Sequence, residues 1–333
     1  MADWKSALKA DPTAWLLGED NPSVRYFALK DLLDRPESDP EVQDARRAIM
    51  QRGAAAEILK KQRDPAYIER FPRFYTDKYG GLVWSLIALA ELGATANDQI
   101  RAQCEYLMTH AEDARGGFSQ HKAKAGGGLP SEVIPCLTGN LAFCFLRLGF
   151  GEDERVKRAV DWLVHYMRLN DGVETEPQEP PYAHYEMCWG RHTCLMGVVK
   201  ALKAFAEIPP GARTPEVRGA IERNAEFLLI HRVFRRSHDP GRVSKPGWTR
   251  FGFPLMYQTD ALEILDILTA LDYRDERMQD AVSLVLGKQQ PDGRWLTENT
   301  YASERMLVPF EEKGAPGKWI TLRAMRALKR YGP

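Results

Sequence analysis

Residues 81–92 read Gly-Leu-Val-Trp-Ser-Leu-Ile-Ala-Leu-Ala-Glu-Leu. Only Ser85 and Glu91 are polar side chains, so a helix here is apolar on nearly every side and belongs in an interior. Five more stretches of helical length share this character: 23–33, 136–148, 193–208, 257–271 and 319–331. The six end at Leu33, Leu92, Leu148, Ile208, Leu271 and Tyr331, in steps of 59, 56, 60, 63 and 60 residues. A fixed period of this length is the mark of stacked supersecondary units.

Between the apolar stretches lie one-sided ones. In 154–167, Val156, Ala159, Val160, Leu163, Val164 and Met167 follow the i, i+3, i+4, i+7 spacing of a helix that buries one face. Met278, Ala281, Val282 and Val285 repeat it in 275–286, and 98–109 and 215–230 behave alike. Sustained period-two alternation is missing, which argues against a sheet. The expectation is all-α: a single α/α toroid over residues 1–333, with about six inner and six outer helices. An open solenoid uses the same alternation. The closed ring is preferred because helices this apolar do not suit an exposed groove.

Composition narrows the function. The 333 residues carry 46 Lys plus Arg and 46 Asp plus Glu, so the net charge is zero. A nucleic-acid partner calls for a basic footprint and is not expected. No run approaches the roughly 18 apolar residues of a transmembrane segment, and residues 1–15 lack the order of a signal peptide. Five cysteines without a secretory signal read as reduced thiols, and the expected location is cytoplasmic.

Long linkers precede the inner helices. Residues 110–135 and 168–191 are rich in Gly, Pro, His and acidic residues, and 231–254 is basic and aromatic. Linkers of this length in a compact domain are often functional. Trp84, Trp189, Phe253, Tyr257 and Trp319 lie at or near inner-helix starts, where they line a cavity or fill the ring. Arg250 stands among the basic side chains suited to an anionic head group. Asp260, in Tyr257-Gln-Thr-Asp260, reads either as a lone acid at a helix start, with Tyr257 beside it, or as a helix N-cap. Lys203, Lys329 and Arg330, near helix C-termini, are expected in solvent.

Residues 289–295, Gln-Gln-Pro-Asp-Gly-Arg-Trp, fit Gln-x-x-x-Gly-x-Trp, the QW motif of the squalene cyclases, through Gln289, Gly293 and Trp295. Worn copies stand at Asn170–Gly172 and Arg115–Phe118. The chain thus resembles the terpenoid cyclase and protein prenyltransferase superfamily, built from prenyltransferase/squalene oxidase repeats. The resemblance implies an α/α barrel with a central cavity for a long apolar, isoprenoid-like ligand and no nucleotide cofactor. It departs from the family in its acids. The Asp-x-Asp-Asp of protonating cyclases and the aspartate-rich magnesium motif are both missing; the resemblance still implies a cyclase- or prenyltransferase-like enzyme, with a non-catalytic binding or scaffold toroid as the alternative.

The prenyltransferase β subunits, in the same superfamily, hold zinc with Asp-x-Cys at one inner-helix start and His at another. Cys136 and His192 resemble that pair, one repeat apart, but position 134 is Ile rather than Asp. Cys188, four residues before His192, would supply the third ligand, with Cys194 as its alternate. Cys and His suit zinc. The plainer reading is that these cysteines are small buried hydrophobes. A carbohydrate-active barrel would need paired carboxylates; Glu174, Glu176 and Glu186 are at hand, but no spacing singles out a pair.

Overall fold

The computed structural model describes residues 4–70, 73–175, 177–179, 181–182, 184–300 and 306–332. Its α-helices are α1 (Thr13–Leu16), α2 (Pro22–Phe27), α3 (Pro40–Gln51), α4 (Ala54–Lys61), α5 (Leu82–Glu91), α6 (Asp98–His110) and α7 (Pro135–Arg147) in the first half. There follow α8 (Glu154–Tyr166), α9 (Glu186–Trp189), α10 (Leu195–Ala206), α11 (Pro215–Ile230), α12 (Ala261–Ala270), α13 (Gln279–Gly287) and α14 (Lys318–Tyr331). A π-helical turn, Ala28–Leu32, continues α2.

The six apolar stretches become α2 with its π-turn, α5, α7, α10, α12 and α14. They pack in that order from α5 to α14, and α14 returns to α2 and its π-turn. The one-sided stretches form a second layer, with α6 on α5, α8 on α7, α11 on α10 and α13 on α12. All ten residues of α5 are buried, as its composition requires. The tightest neighbours are α7 and α10. A methyl group on Gly139 would stand 2.5 Å from the Lys200 carbonyl carbon, and one on Gly197 2.7 Å from Pro135. Glycine at both positions lets the two backbones approach this closely.

The outer helices start on side-chain caps: Asn97 accepts from the amide of Ile100, Asp153 from Arg155 and Thr214 from Val217. Such a cap is worth about 1 kcal/mol. Two helical starts repeat one device. Asp153 and Asp275 each hold the Arg two residues on, Arg155 and Arg277. Each Arg then spans both carboxylate oxygens of a Glu on the preceding outer helix, Glu105 at 2.7 and 2.8 Å and Glu226 at 2.8 and 2.9 Å.

One departure from the expected all-helical chain lies in the 231–254 linker. There Arg235–Arg236 pairs antiparallel with Asp239–Val243. A ribbon this short has no hydrophobic period for the sequence to display. Among the described residues, no helix is long and apolar enough to cross a membrane.

Candidate ligand-binding site

The expected aromatic wall divides into three clusters. Trp84 is buried, and its ring lies 5.6 Å from Tyr257, which lies 5.6 Å from Tyr75. The Lys78 ammonium stands 4.9 Å from the Tyr257 ring and 5.9 Å from Tyr75. Trp319 stacks on Phe253 at 4.3 Å and 8°, with Phe310 against the far ring and Phe27 against Trp319. Trp189 joins neither group. It packs on Trp162 of the outer helix α8 and on Tyr182. The five rings expected at inner-helix starts do not share one wall, and the 168–191 linker turns Trp189 toward the outer layer. Arg250 is exposed.

A cavity of about 380 Å³ opens beside the Trp319–Phe253 stack. Trp319, Phe310, Val308, Leu92 and Pro22 give it apolar wall, and Asp20, Glu57 and Lys61 add charge. It lies where the starts of α2 and α14 face the end of α5.

Asp260 is the N-cap of α12. Its Oδ1 accepts from the Glu263 amide at 2.8 Å and its Oδ2 from the Gly252 amide at 2.9 Å. Burial nevertheless pushes its carboxyl up to about 7. Glu311 is alike: it accepts from the Trp319 amide at 2.6 Å and from Thr297 at 2.8 Å, and burial pushes it up to about 7. Both carboxyls are spent on holding the starts of inner helices. Tyr257, expected beside Asp260, belongs instead to the cluster with Trp84.

Cys136, Cys188 and Cys194 lie within electrostatic reach of one another. Cys136 Sγ is 3.8 Å from the Tyr75 hydroxyl. Burial pushes the Cys136 thiol up to about 12 and raises that of Cys188 as well. His192 is not with them. Its imidazole is largely exposed, packs beside Gly172, and sets Nδ1 3.4 Å from Asp171. Among the described residues no three His, Cys, Asp or Glu side chains gather in an arrangement able to hold a metal ion. The Cys136–Cys188–His192 set expected for zinc is therefore not assembled, because the turn at Asp171–His192 carries the imidazole away. Of the three carboxylates weighed for a carbohydrate site, Glu174 and Glu186 are exposed and Glu176 lies outside the described residues.

Gln289, Gly293 and Trp295 form a structural clamp. Gln289 accepts from the Lys9 amide at 2.7 Å and donates to the carbonyls of Ala10 and Gly293. The Trp295 indole is buried and donates to Val285 O at 2.7 Å. Gly293 has φ +84°, and a methyl group there would stand 2.4 Å from Ala10 O. The Arg115–Phe118 stretch repeats part of this. The amides of Phe118 and Trp295 donate to Thr138 and Thr321, each the fourth residue of its inner helix.

The largest surprise lies between the inner helices. Lys200 and Lys203 of α10, Glu91 of α5, Glu263 of α12 and Arg323 of α14 form one buried ion network. Lys203, expected in solvent, is 8% exposed and bonded to both glutamates. Lys329, by contrast, reaches Asp34 and the carbonyls of Asp31 and Leu32 at the surface. The missed signal was the repeat itself. Arg147–Glu207, Lys203–Glu263 and Asp266–Arg326 are each 60 residues apart, so opposite charges recur at one period on neighbouring inner helices.

The chain is similar in structure to type II terpene cyclases. It matches a variant of MstE from Scytonema in complex with its substrate geranylgeranyl dihydroxybenzoate at 16% identity, covering 94% of this chain and 88% of that chain, with TM-score 0.43. It matches another MstE variant, in complex with the product merosterolic acid A, at 14% identity over 94% and 87% of the chains, again at 0.43. A protein from Actinoplanes matches at 15% identity over 99% of both chains, with TM-score 0.41. No family model and no curated protein matches the chain.

Proposed function

We propose that this chain is a closed double ring of helices that binds a compact apolar, isoprenoid-like ligand. The cavity beside the Trp319–Phe253 stack carries this reading. Its volume of about 380 Å³ falls within the range of small-ligand pockets, roughly 300–1,000 Å³. Its wall joins Trp319, Phe310, Val308 and Leu92 to Asp20, Asn21, Ser23, Glu57 and Lys61, which suits a ligand with an apolar body and a polar end. Binding is the function proposed, and not cyclisation by protonation, because neither Asp260 nor Glu311 lines this cavity and backbone amides at inner-helix starts hold both. Zinc chemistry at the cysteines finds no support in the donor geometry.

The test is quenching of tryptophan fluorescence by a farnesyl probe. Saturable quenching in the wild type, weakened at least tenfold by Phe310→Ala and by Leu92→Ala, is the expected result. Binding that ignores both substitutions would place the ligand elsewhere, and no binding would leave the scaffold reading.

A further inference from the structure

A second cavity lies at the other end of the inner helices. It has about 300 Å³, with Phe27 and Lys30 on one side and Arg147, Arg326 and Arg330 on the other. A smaller pocket of about 100 Å³ shares Arg147, Glu207, Arg326 and Arg330 with it and reaches in to Lys203 and Arg323. The two together connect the buried ion network with the surface.

The charges here do not balance. Glu37 is taken up by Lys30, by Arg46 at 3.3 Å and by the Tyr26 hydroxyl at 2.7 Å. Asp266 accepts two nitrogens of Arg326, whose third nitrogen holds Asp31 at 3.0 Å. Arg330 is left with one bond of 3.2 Å, to the same Asp266. Arg147 has one bond of 2.7 Å to Glu207, and its guanidinium lies over the rings of Phe27 and Phe143 at 5.1 and 5.9 Å. Arg330 is two-thirds buried, and both burial and the nearby Arg326 and Arg147 disfavour its charge. Among the described residues, five cations thus share four carboxylates, and two guanidinium groups retain N–H donors that no carboxylate takes up.

We propose that this cavity binds a small tetrahedral oxyanion between Arg147 and Arg330. Guanidinium groups pair with such anions through two parallel N–H donors. Contact of the Arg147 guanidinium with two aromatic rings restrains the side chain before the anion arrives, which lowers the ordering cost of binding. The rival account is that the arginines only neutralise the carbonyl ends of α7 and α14. That account requires no anion.

The experiment is isothermal titration of the full chain with inorganic phosphate, at ionic strength held constant with chloride. Saturable binding with one site is expected. Arg330→Gln should weaken it about tenfold, the value of a charge-assisted hydrogen bond of about 1.4 kcal/mol. Glu207→Gln should tighten it, because the carboxylate that competes for Arg147 is gone. No saturable heat in the wild type overturns the proposal. So does an affinity unchanged in Glu207→Gln, whether or not Arg330→Gln folds by circular dichroism.

Discussion

Lys200 holds both carboxylate oxygens of Glu263, at 2.8 and 2.7 Å, and neither side chain reaches solvent. Burial pulls the Lys200 amine down to about 8. Burial also works to raise Glu263, yet Lys200, Lys203 and Arg323 hold it below the usual carboxylate range. The pair is ionised, and its partners are unequal. Glu263 has Lys203 as a second partner at 3.1 Å, whereas among the described residues Lys200 has only Glu263.

That asymmetry orders two substitutions. Removing one member of a buried pair costs about 3–5 kcal/mol because the other charge is stranded. Glu263→Leu should therefore cost more than Lys200→Met in urea denaturation. The double variant Lys200→Met/Glu263→Leu should recover part of the loss. Equal costs for the single variants would show that Lys203 does not share Glu263 as the geometry states.

The buried carboxyls set a pH dependence. Unfolded, Asp260 and Glu311 lose their protons near 4. Folded, they keep them to about 7. Between these limits the native state binds more protons than the unfolded one, so their contribution to stability falls as pH rises. Asp260→Ser keeps an N-cap oxygen without a titrating group. From pH 8 to pH 5, thermal melts should show wild type gaining stability relative to Asp260→Ser. A constant difference would place the Asp260 carboxyl at its ordinary value.

The opposite sign holds for Asp266, kept low by Arg326 and Arg330 against the effect of burial. Its stabilisation is present above the ordinary carboxylate value and is lost as pH falls through its lowered one. Asp266→Asn should thus cost stability at pH 7 and much less near pH 2, as measured by urea midpoints at the two values.

The clamp at Gln289–Trp295 ties the end of the second layer to the N-terminal segment. Gly293→Ala should destabilise the chain by more than about 1 kcal/mol, since it adds a methyl group to a left-handed residue facing a carbonyl. Trp295→Phe removes one buried hydrogen bond, worth about 0.5–1.5 kcal/mol, while Val285 O keeps the Lys288 amide at 3.2 Å. Gln289→Ala should expose the bonds around Lys9 and Ala10 to limited proteolysis. An N-terminal segment as resistant as in the wild type would show that other contacts hold it.

Thiol chemistry tests the cysteine cluster directly. Cys136, buried and held protonated, should react with a disulfide reagent at pH 7 only after denaturant is added, and the half-buried Cys188 should react more slowly than a free thiol. Fast labelling of either in the native chain would mean a thiolate environment that the geometry does not supply.

The sequence by itself determined the helices and their alternation. Apolar spacing along one helix is a local property, so Leu82–Glu91, Pro135–Arg147 and Lys318–Tyr331 were legible from their own residues. Asp260 as a cap was legible for the same reason, because its bond to Glu263 spans three residues. What only the tertiary structure decided is which distant groups share a space. His192 and Cys136 sit one repeat apart, but the turn at Asp171 sends the imidazole outward. Trp189 leaves the aromatic wall because its linker folds over α8. Lys203 reads as a surface charge at a helix end until α5 and α12 bring Glu91 and Glu263 to it. Whether a charge is buried depends on the separation of groups from different repeats, and the hydrophobic period of one helix carries no information about that separation.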